Sequence, residues 1–300
     1  MRIVLRAKHL SRSQWVQHVR RYSTPVDPSP IRIQSQPAPH SGSIRVLLLD
    51  RAETRNALSR RLVADLGRQV DELAAEGGRG GTRALVIASN SDKAFCAGAD
   101  LKERQGMSQE ETLAFLHDLR RVFTNLSQLP IPTISAVSSV ALGGGLELSL
   151  CTTFRVFGSS VTVGLPETRL AIIPGAGGTY RLPALIGPNR ARDLILTGRR
   201  VSGPEAYFLG LCDRLVEITP EEEEQPGAAK AKVLEVGLQL ARDICEGGPI
   251  AIPQALRAVN GWQRGQENEN EAYDVVLKTD DRLEALRAFA EKRKPAFRGR

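Results

Sequence analysis

The chain has 300 residues, 41% hydrophobic and 25% charged, a composition that excludes general disorder and leaves room for one large core with a smaller appended unit. No apolar run reaches the roughly 18 to 20 residues needed to cross a bilayer, because the best candidate, VSSVALGGGLELSL, is shorter and broken by glycines and a glutamate. The net charge of +7 comes mostly from one end: residues 1–26 hold Arg2, Arg6, Lys8, Arg12, Arg20 and Arg21 and no acid, which leaves about +1 elsewhere and weakens the case for a nucleic-acid partner.

In chain order, those first 26 residues place Arg, Ser and apolar residues at near-helical intervals, the composition of a mitochondrial transit peptide. Cleavage is expected near RRYST, with a matrix location as the consequence. A basic arm for an acidic partner is the competing reading. A Pro- and Ser-rich linker follows, TPVDPSPIRIQSQPAPHSGS. IRVLLLDR then reads as a buried strand, and LSRRLVADLGRQVDELAAE as an amphipathic helix capped by Ser59. GGRGGT breaks the chain before the strand RALVIAS. Past a loop through AFCAGAD, a helix opens near Ser108 and runs to Leu129. The prolines of LPIPTISAVSSV then bound a third strand. Strands alternating with helices predict an α/β fold.

FRVFGSSVTVGLPE reads as short strands and turns, and IIPGAGGTYRLPALIG as a glycine-rich loop entering a helix. From about Ser202 the chain is mainly helical apart from a strand in LCDRLVEI. The acidic run at 221–224 caps a solvated helix start. Residues 228–291 offer three helical stretches separated by GGP and GWQRG, and no internal repeat is present.

The chemistry starts at ALGGGLELSL, residues 141–150, where Glu147 is the only formal charge between Arg121 and Arg155. If a helix begins here, Gly144 lies at its positive end, where unpaired N–H groups hold an anionic oxygen. Small residues Ala97, Gly98 and Ala99 of FCAGADLK offer a second backbone donor, and Lys102 a cation for phosphate or carboxylate. Apolar surroundings raise the pKa of an unpaired Glu147 into the range of acid–base work, and Glu167 of GLPETRL supplies a second carboxylate. The bland alternatives are a buried Glu147 paired with an arginine, and a surface Glu167 paired with Arg169. Cys96, Cys151, Cys212 and Cys245 are too scattered for a zinc site or disulfide framework, which fits a reduced compartment. The one body histidine, His117, sits in a polar helix pattern. No G-x-S-x-G elbow or Walker lysine occurs, and GAGGTY at 175–180 lacks the last glycine of a dinucleotide fingerprint. No metal and no cofactor are expected.

With DRAETRNALS, AFCAGADLKE, ALGGGLEL, GLPETRLAIIPGAGGTYRLP, LTGRRVSGPEA and DRLEALRAFAEKRKPAF in order, the chain resembles the enoyl-CoA hydratase/isomerase (crotonase) family from about Ser43 to Arg300. The resemblance implies a ββα spiral core over 43–222, preceded by leader and linker over 1–42. Over 223–300 it implies a helical region that builds trimers or hexamers. It also implies an acyl-CoA thioester substrate, with no cofactor beyond the CoA that the substrate carries. Matched motif by motif, oxyanion donors fall on Ala99 and Gly144, CoA contacts on Ala99, Asp100, Leu101, Lys102 and Gly144, catalytic carboxylates on Glu147 and Glu167, and a neighbour of the catalytic water on Gly175.

Two glutamates favour hydration over isomerisation. The run AFCAGADLKER with MS, together with ETRLAIIPGAGGT and the leader, most resembles the mitochondrial methylglutaconyl-CoA hydratase group of leucine breakdown. A short-chain enoyl-CoA hydratase of fatty-acid oxidation and an enoyl-CoA isomerase are the alternatives. Thr153 stands where relatives usually carry aspartate, and Tyr180 where glutamine is usual. An RNA-binding reading rests on Arg60, Arg61 and Arg68 of the first helix, diluted by Asp65, Asp71 and Glu72.

Overall fold

Residues 29–300 are described by the structure, a computed structural model, and the expected leader lies outside them. Strands β1 (Ile31–Pro37) and β2 (Ser43–Leu49) form an antiparallel hairpin. Helix α1 (Arg60–Glu76) leads to β3 (Thr82–Ser89) and the short β4 (Ala94–Cys96). Helices α2 (Leu101–Gln105) and α3 (Gln109–Ser127) follow, then β5 (Thr133–Val137), β6 (Val140–Leu142) and the six-residue α4 (Gly144–Ser149). Next come β7 (Phe154–Gly158), β8 (Thr162–Gly164), α5 (Gly178–Ile186), α6 (Pro188–Thr197) and β9 (Arg200–Ser202). The chain closes with α7 (Gly203–Leu209), β10 (Arg214–Val216), α8 (Pro220–Glu224), α9 (Ala228–Cys245), α10 (Ala251–Asn260), α11 (Gln266–Leu277) and α12 (Asp280–Ala290).

Two sheets share these strands: β1-β2-β3-β5-β7-β10, parallel apart from the β1–β2 pair, and the smaller β4-β6-β8-β9, parallel apart from β8–β9. The chain therefore winds in a spiral, because β3 and β4, β5 and β6, and β7 and β8 each put one strand into the large sheet and the next into the small one. Parallel strands buried on both faces read as continuous apolar runs, which accounts for VLLL and ALVIA. Leu47, Leu49, Leu85 and Ile87 join the core shared with α1, α3 and the small sheet, while Val46, Leu48, Val86 and Ala88 turn to the opposite face.

Both long helices of the first half are fixed by their termini. The Ser59 hydroxyl accepts the Leu62 N–H at the start of α1, and Gly77 ends that helix in the left-handed conformation. Ser108 and Glu111 form a reciprocal capping box at α3. Thr219 and Glu222 do the same at α8, the helix start expected at the acidic run.

Three expectations need correction. The linker expected through residue 42 contains β1, which pairs along its whole length with β2, from Ile31 opposite Leu49 to Pro37 opposite Ser43. Most of its side chains are solvated, so its largely polar sequence lacks the pattern of a buried strand. A boundary after residue 222 separates α9 from the core, whereas Val233, Leu238, Ala241 and Cys245 of α9 cover the outer face of the large sheet. Gly237 lets that helix approach closely: a Cβ there would lie 3.3 Å from the Cβ of Ala136. The third C-terminal stretch is two helices, divided where the Thr279 side chain caps α12.

Asn56, fully buried and left-handed (φ 54°), ties the first sheet to the second. Its Oδ1 accepts the Arg51 N–H at 2.7 Å, while its Nδ2 donates to Ser89 Oγ (2.8 Å), Phe95 O (3.0 Å) and Ala94 O (3.2 Å). Asn56→Ala removes these four hydrogen bonds from the core and is expected to cost about 2–4 kcal/mol of stability, read as a lower urea midpoint with an unchanged slope.

Candidate active site

The glycine run works as a turn. Gly143 has φ 53° and ψ −126°, a conformation open essentially to glycine, and it sends the chain from β6 straight into α4. Its backbone N–H is taken by Gly164 O, but among the described residues the Gly144 N–H has no acceptor, as the first turn of a helix leaves it. Gly145 seats α4 on β4, since a Cβ there would stand 2.0 Å from Cys96 O. That contact brings Gly144 against Gly98, whose own Cβ position lies 3.6 Å from the Gly144 nitrogen.

Ala99 is held in the same place by a parallel bridge to Leu58. Leu58 N–H donates to Gly98 O at 2.8 Å and Asp100 N–H to Leu58 O at 3.4 Å, so the intervening Ala99 N–H faces away from Leu58. Among the described residues it too lacks an acceptor. Two backbone donors are thus left open on one wall of a cleft of about 680 Å3.

Glu147 and Glu167 line the same cleft, with 3% and 9% exposure. Neither of the bland alternatives holds. Glu147 has no arginine partner at ion-pair distance among the described residues; its Oε1 accepts the Ala176 and Gly178 N–H groups, both at 2.8 Å. These donors belong to the GAGG loop and the start of α5. Carbonyls of that loop are pinned by arginines, Ala176 O by Arg181 Nη1 (2.9 Å) and Gly175 O by Arg120 Nε (2.6 Å). Burial raises the Glu147 carboxyl above its usual range, and the two N–H donors pull it partly back.

Glu167 opens a short 3-10 turn, Glu167–Leu170. Arg169 does not reach it, because Arg169 Nε donates to Thr197 O at 2.9 Å. One carboxyl oxygen, Oε2, is buried without a hydrogen-bond partner among the described residues. Burial, with a smaller push from the charge of Glu147, lifts this carboxyl to about 7. The two acids therefore differ in their partners: Glu147 accepts two backbone N–H groups on one oxygen, whereas Glu167 Oε2 has none and its carboxyl titrates near neutrality.

Of the other anticipated residues, Leu101 and Gly175 line the cleft, whereas Asp100 and Lys102 do not. Asp100 caps α2 by accepting the Glu103 N–H and faces Arg51 at 3.5 Å; Lys102 is solvated. His117 is exposed beside Asp118. Thr153 exchanges hydrogen bonds with Thr133, and Tyr180 stacks under Arg181, both away from the cleft lining. The four cysteines are free and buried. Arg60 and Arg68 of the basic helix have carboxylate partners in Glu111 and Asp65.

Sequence reasoning missed the Ala176 and Gly178 donors, for which GAGG was the only signal, and two cleft arginines, Arg104 and Arg120. It also missed the apolar wall that α3 contributes through Phe115, Leu116 and Leu119.

A family model described as enoyl-CoA hydratase/isomerase matches residues 40–300. The chain belongs to that family. It is 60% identical to an enoyl-CoA isomerase/hydratase of Zymoseptoria tritici, over 97% of this chain and 96% of that one. It is 54% identical to the mitochondrial methylglutaconyl-CoA hydratase 1 of Pyricularia oryzae, over 94% and 90%, and 41% identical to the human mitochondrial methylglutaconyl-CoA hydratase, over 85% and 74%. Among solved structures, an enoyl-CoA hydratase from Bacillus anthracis superposes with a TM-score of 0.81 at 39% identity, covering 90% of this chain and all of that one. The spiral of paired strands is thus the enoyl-CoA hydratase fold, carried by this chain with a helical C-terminal region.

Burial of Glu167 makes stability depend on its proton. Its carboxyl titrates near 7 in the folded chain against 4.5 for the ordinary group, so the folded state binds more protons between those values and stability falls as pH rises through about 7. Glu167→Gln removes that charge, and at pH 8 the variant is expected to exceed the parent by up to about 3 kcal/mol. Urea midpoints at pH 5 and pH 8 check this; curves that stay parallel would count against the buried, unpartnered carboxyl.

Proposed function

We propose that the chain is an acyl-CoA hydratase that adds water across the α,β double bond of an enoyl-CoA, with 3-methylglutaconyl-CoA as the preferred substrate. One observation carries this reading: two buried carboxyls, one held by two backbone N–H donors and one with an unpartnered oxygen, line the same cleft as two unclaimed N–H donors. The family supports the reaction, and the names of the mitochondrial methylglutaconyl-CoA hydratases support the choice of substrate.

In the proposed reaction the thioester oxygen accepts from the Ala99 and Gly144 N–H groups, which hold the enolate as charge develops. Each such donor typically contributes roughly 3–4 kcal/mol to the transition state. Glu147, whose carboxylate form the Ala176 and Gly178 N–H groups favour, takes a proton from a water beside the Gly175 backbone, and the hydroxyl adds to the β-carbon. Glu167 gives its proton to the α-carbon. The proton gained by Glu147 restores Glu167 before the next turnover, so no cofactor or metal is consumed.

The alternative readings need fewer of these parts. An enoyl-CoA isomerase can move one proton with one carboxylate, which leaves the second buried acid without a task. A short-chain enoyl-CoA hydratase would use the same groups on a neutral acyl chain. Mitochondrial location is part of the proposal, supported by the mitochondrial relatives. So is a homo-oligomer, trimer or hexamer, supported by large apolar side chains left in solvent, among them Phe208 at 80% and Phe289 at 86% exposure.

Glu147→Gln and Glu167→Gln are each expected to lower kcat for hydration by about 10^2 to 10^4. With the parent enzyme, kcat/KM for hydration should fall as pH rises through about 7, because deprotonated Glu167 cannot supply the α-proton. Turnover of the Glu167→Gln variant near the parent's level would rule out the two-carboxyl mechanism.

A further inference from the structure

We infer that Arg104 reads a carboxylate at the far end of the acyl chain and so selects dicarboxylic acyl-CoA substrates; this rests on the hydratase reading above and names its substrate class. The cleft is apolar along most of its walls, through Leu101, Phe115, Leu116, Leu119, Ile172 and Ile173. Into that lining the chain puts two cations, Arg104 and Arg120. They are not equivalent. Arg120 is already engaged, its Nε donating to Gly175 O at 2.6 Å.

The Arg104 guanidinium has no hydrogen bond or ion pair among the described residues; it lies over the Phe115 ring, whose centroid is 5.0 Å from Cζ. Phe115 is itself buried and belongs to α3, so the guanidinium rests against the α3 wall. Of the carboxylates near it in sequence, Asp100 is committed to the α2 cap and Arg51, Glu103 to the Arg60 N–H, and Glu111 to Ser108 and Arg60, while the exposed Glu110 makes no ion pair with it. Partial burial also disfavours its charged form. A half-buried cation left unmatched in an apolar wall is costly unless a ligand supplies the anion. Arginine's planar fork suits a carboxylate, which it can hold through two parallel hydrogen bonds.

A terminal carboxylate on the acyl chain is the anion that the proposed substrate offers inside this cleft. The phosphates of CoA are the other source of negative charge. The two are separated by a pair of unreactive ligands that share CoA and differ only at the acyl terminus: glutaryl-CoA, which carries the carboxylate, and butyryl-CoA, which does not.

Dissociation constants for both would be measured by calorimetry with the parent chain, Arg104→Met and Arg104→Lys. The parent is expected to bind glutaryl-CoA at least tenfold more tightly than butyryl-CoA. Arg104→Met should lose at least tenfold more affinity for glutaryl-CoA than for butyryl-CoA, and Arg104→Lys should recover part of that difference. Equal losses on both ligands would assign Arg104 to a CoA phosphate or to packing, and no loss on either would remove it from the site; either result overturns the inference. Hydration of glutaconyl-CoA and crotonyl-CoA by the parent, run alongside, tests the enzymatic reading separately. Failure there leaves the binding comparison to decide on Arg104.

Discussion

Everything in the cleft depends on keeping the carboxylate of Glu147 buried. Taking a carboxylate out of water is expensive, and the structure offsets the cost with two backbone N–H groups, from Ala176 and Gly178, on a single oxygen. That arrangement needs α4 and α5 to meet at their N-terminal ends, each reached through glycines. It also needs the loop before α5 to be stiff. Arg120 and Arg181 supply the stiffness by holding its carbonyls, which leaves the Ala176 and Gly178 N–H groups to Glu147.

The spiral makes this meeting possible. Each winding sends one strand to the large sheet and the next to the small one, so loops distant in sequence emerge side by side where the small sheet ends. Gly145 closes the remaining gap between α4 and β4, and Asn56 fixes the loop that brings Leu58 to Ala99. The open N–H groups of Ala99 and Gly144 are by-products of two different backbone devices, a strand-like bridge and a helix start. In the proposed reaction they share one oxygen.

Legibility followed the kind of interaction. Capping is local, so Ser59 and Ser108 located their helix starts correctly. Parallel strands buried on both faces announce themselves as apolar runs, and β2, β3 and β5 were found that way. The edge strand β1 was missed because its stability comes from backbone pairing with β2, which leaves no mark on side chains that stay in water. Helix α9 was assigned away from the core because its apolar face shows that it packs, without showing on what.

What the sequence determined by itself is the inventory: an isolated acid after three glycines, a second acid beside a proline, and a family resemblance that matches over residues 40–300. These are properties of residue type and spacing, and they survive without coordinates. Tertiary structure decided which partner each group has. It gave Glu147 two N–H donors in place of an arginine, left Glu167 Oε2 without any, and set Arg104 on a phenylalanine with no anion beside it. Protonation and charge compensation depend on distances of a few ångströms between segments dozens of residues apart, and only the folded chain sets those distances.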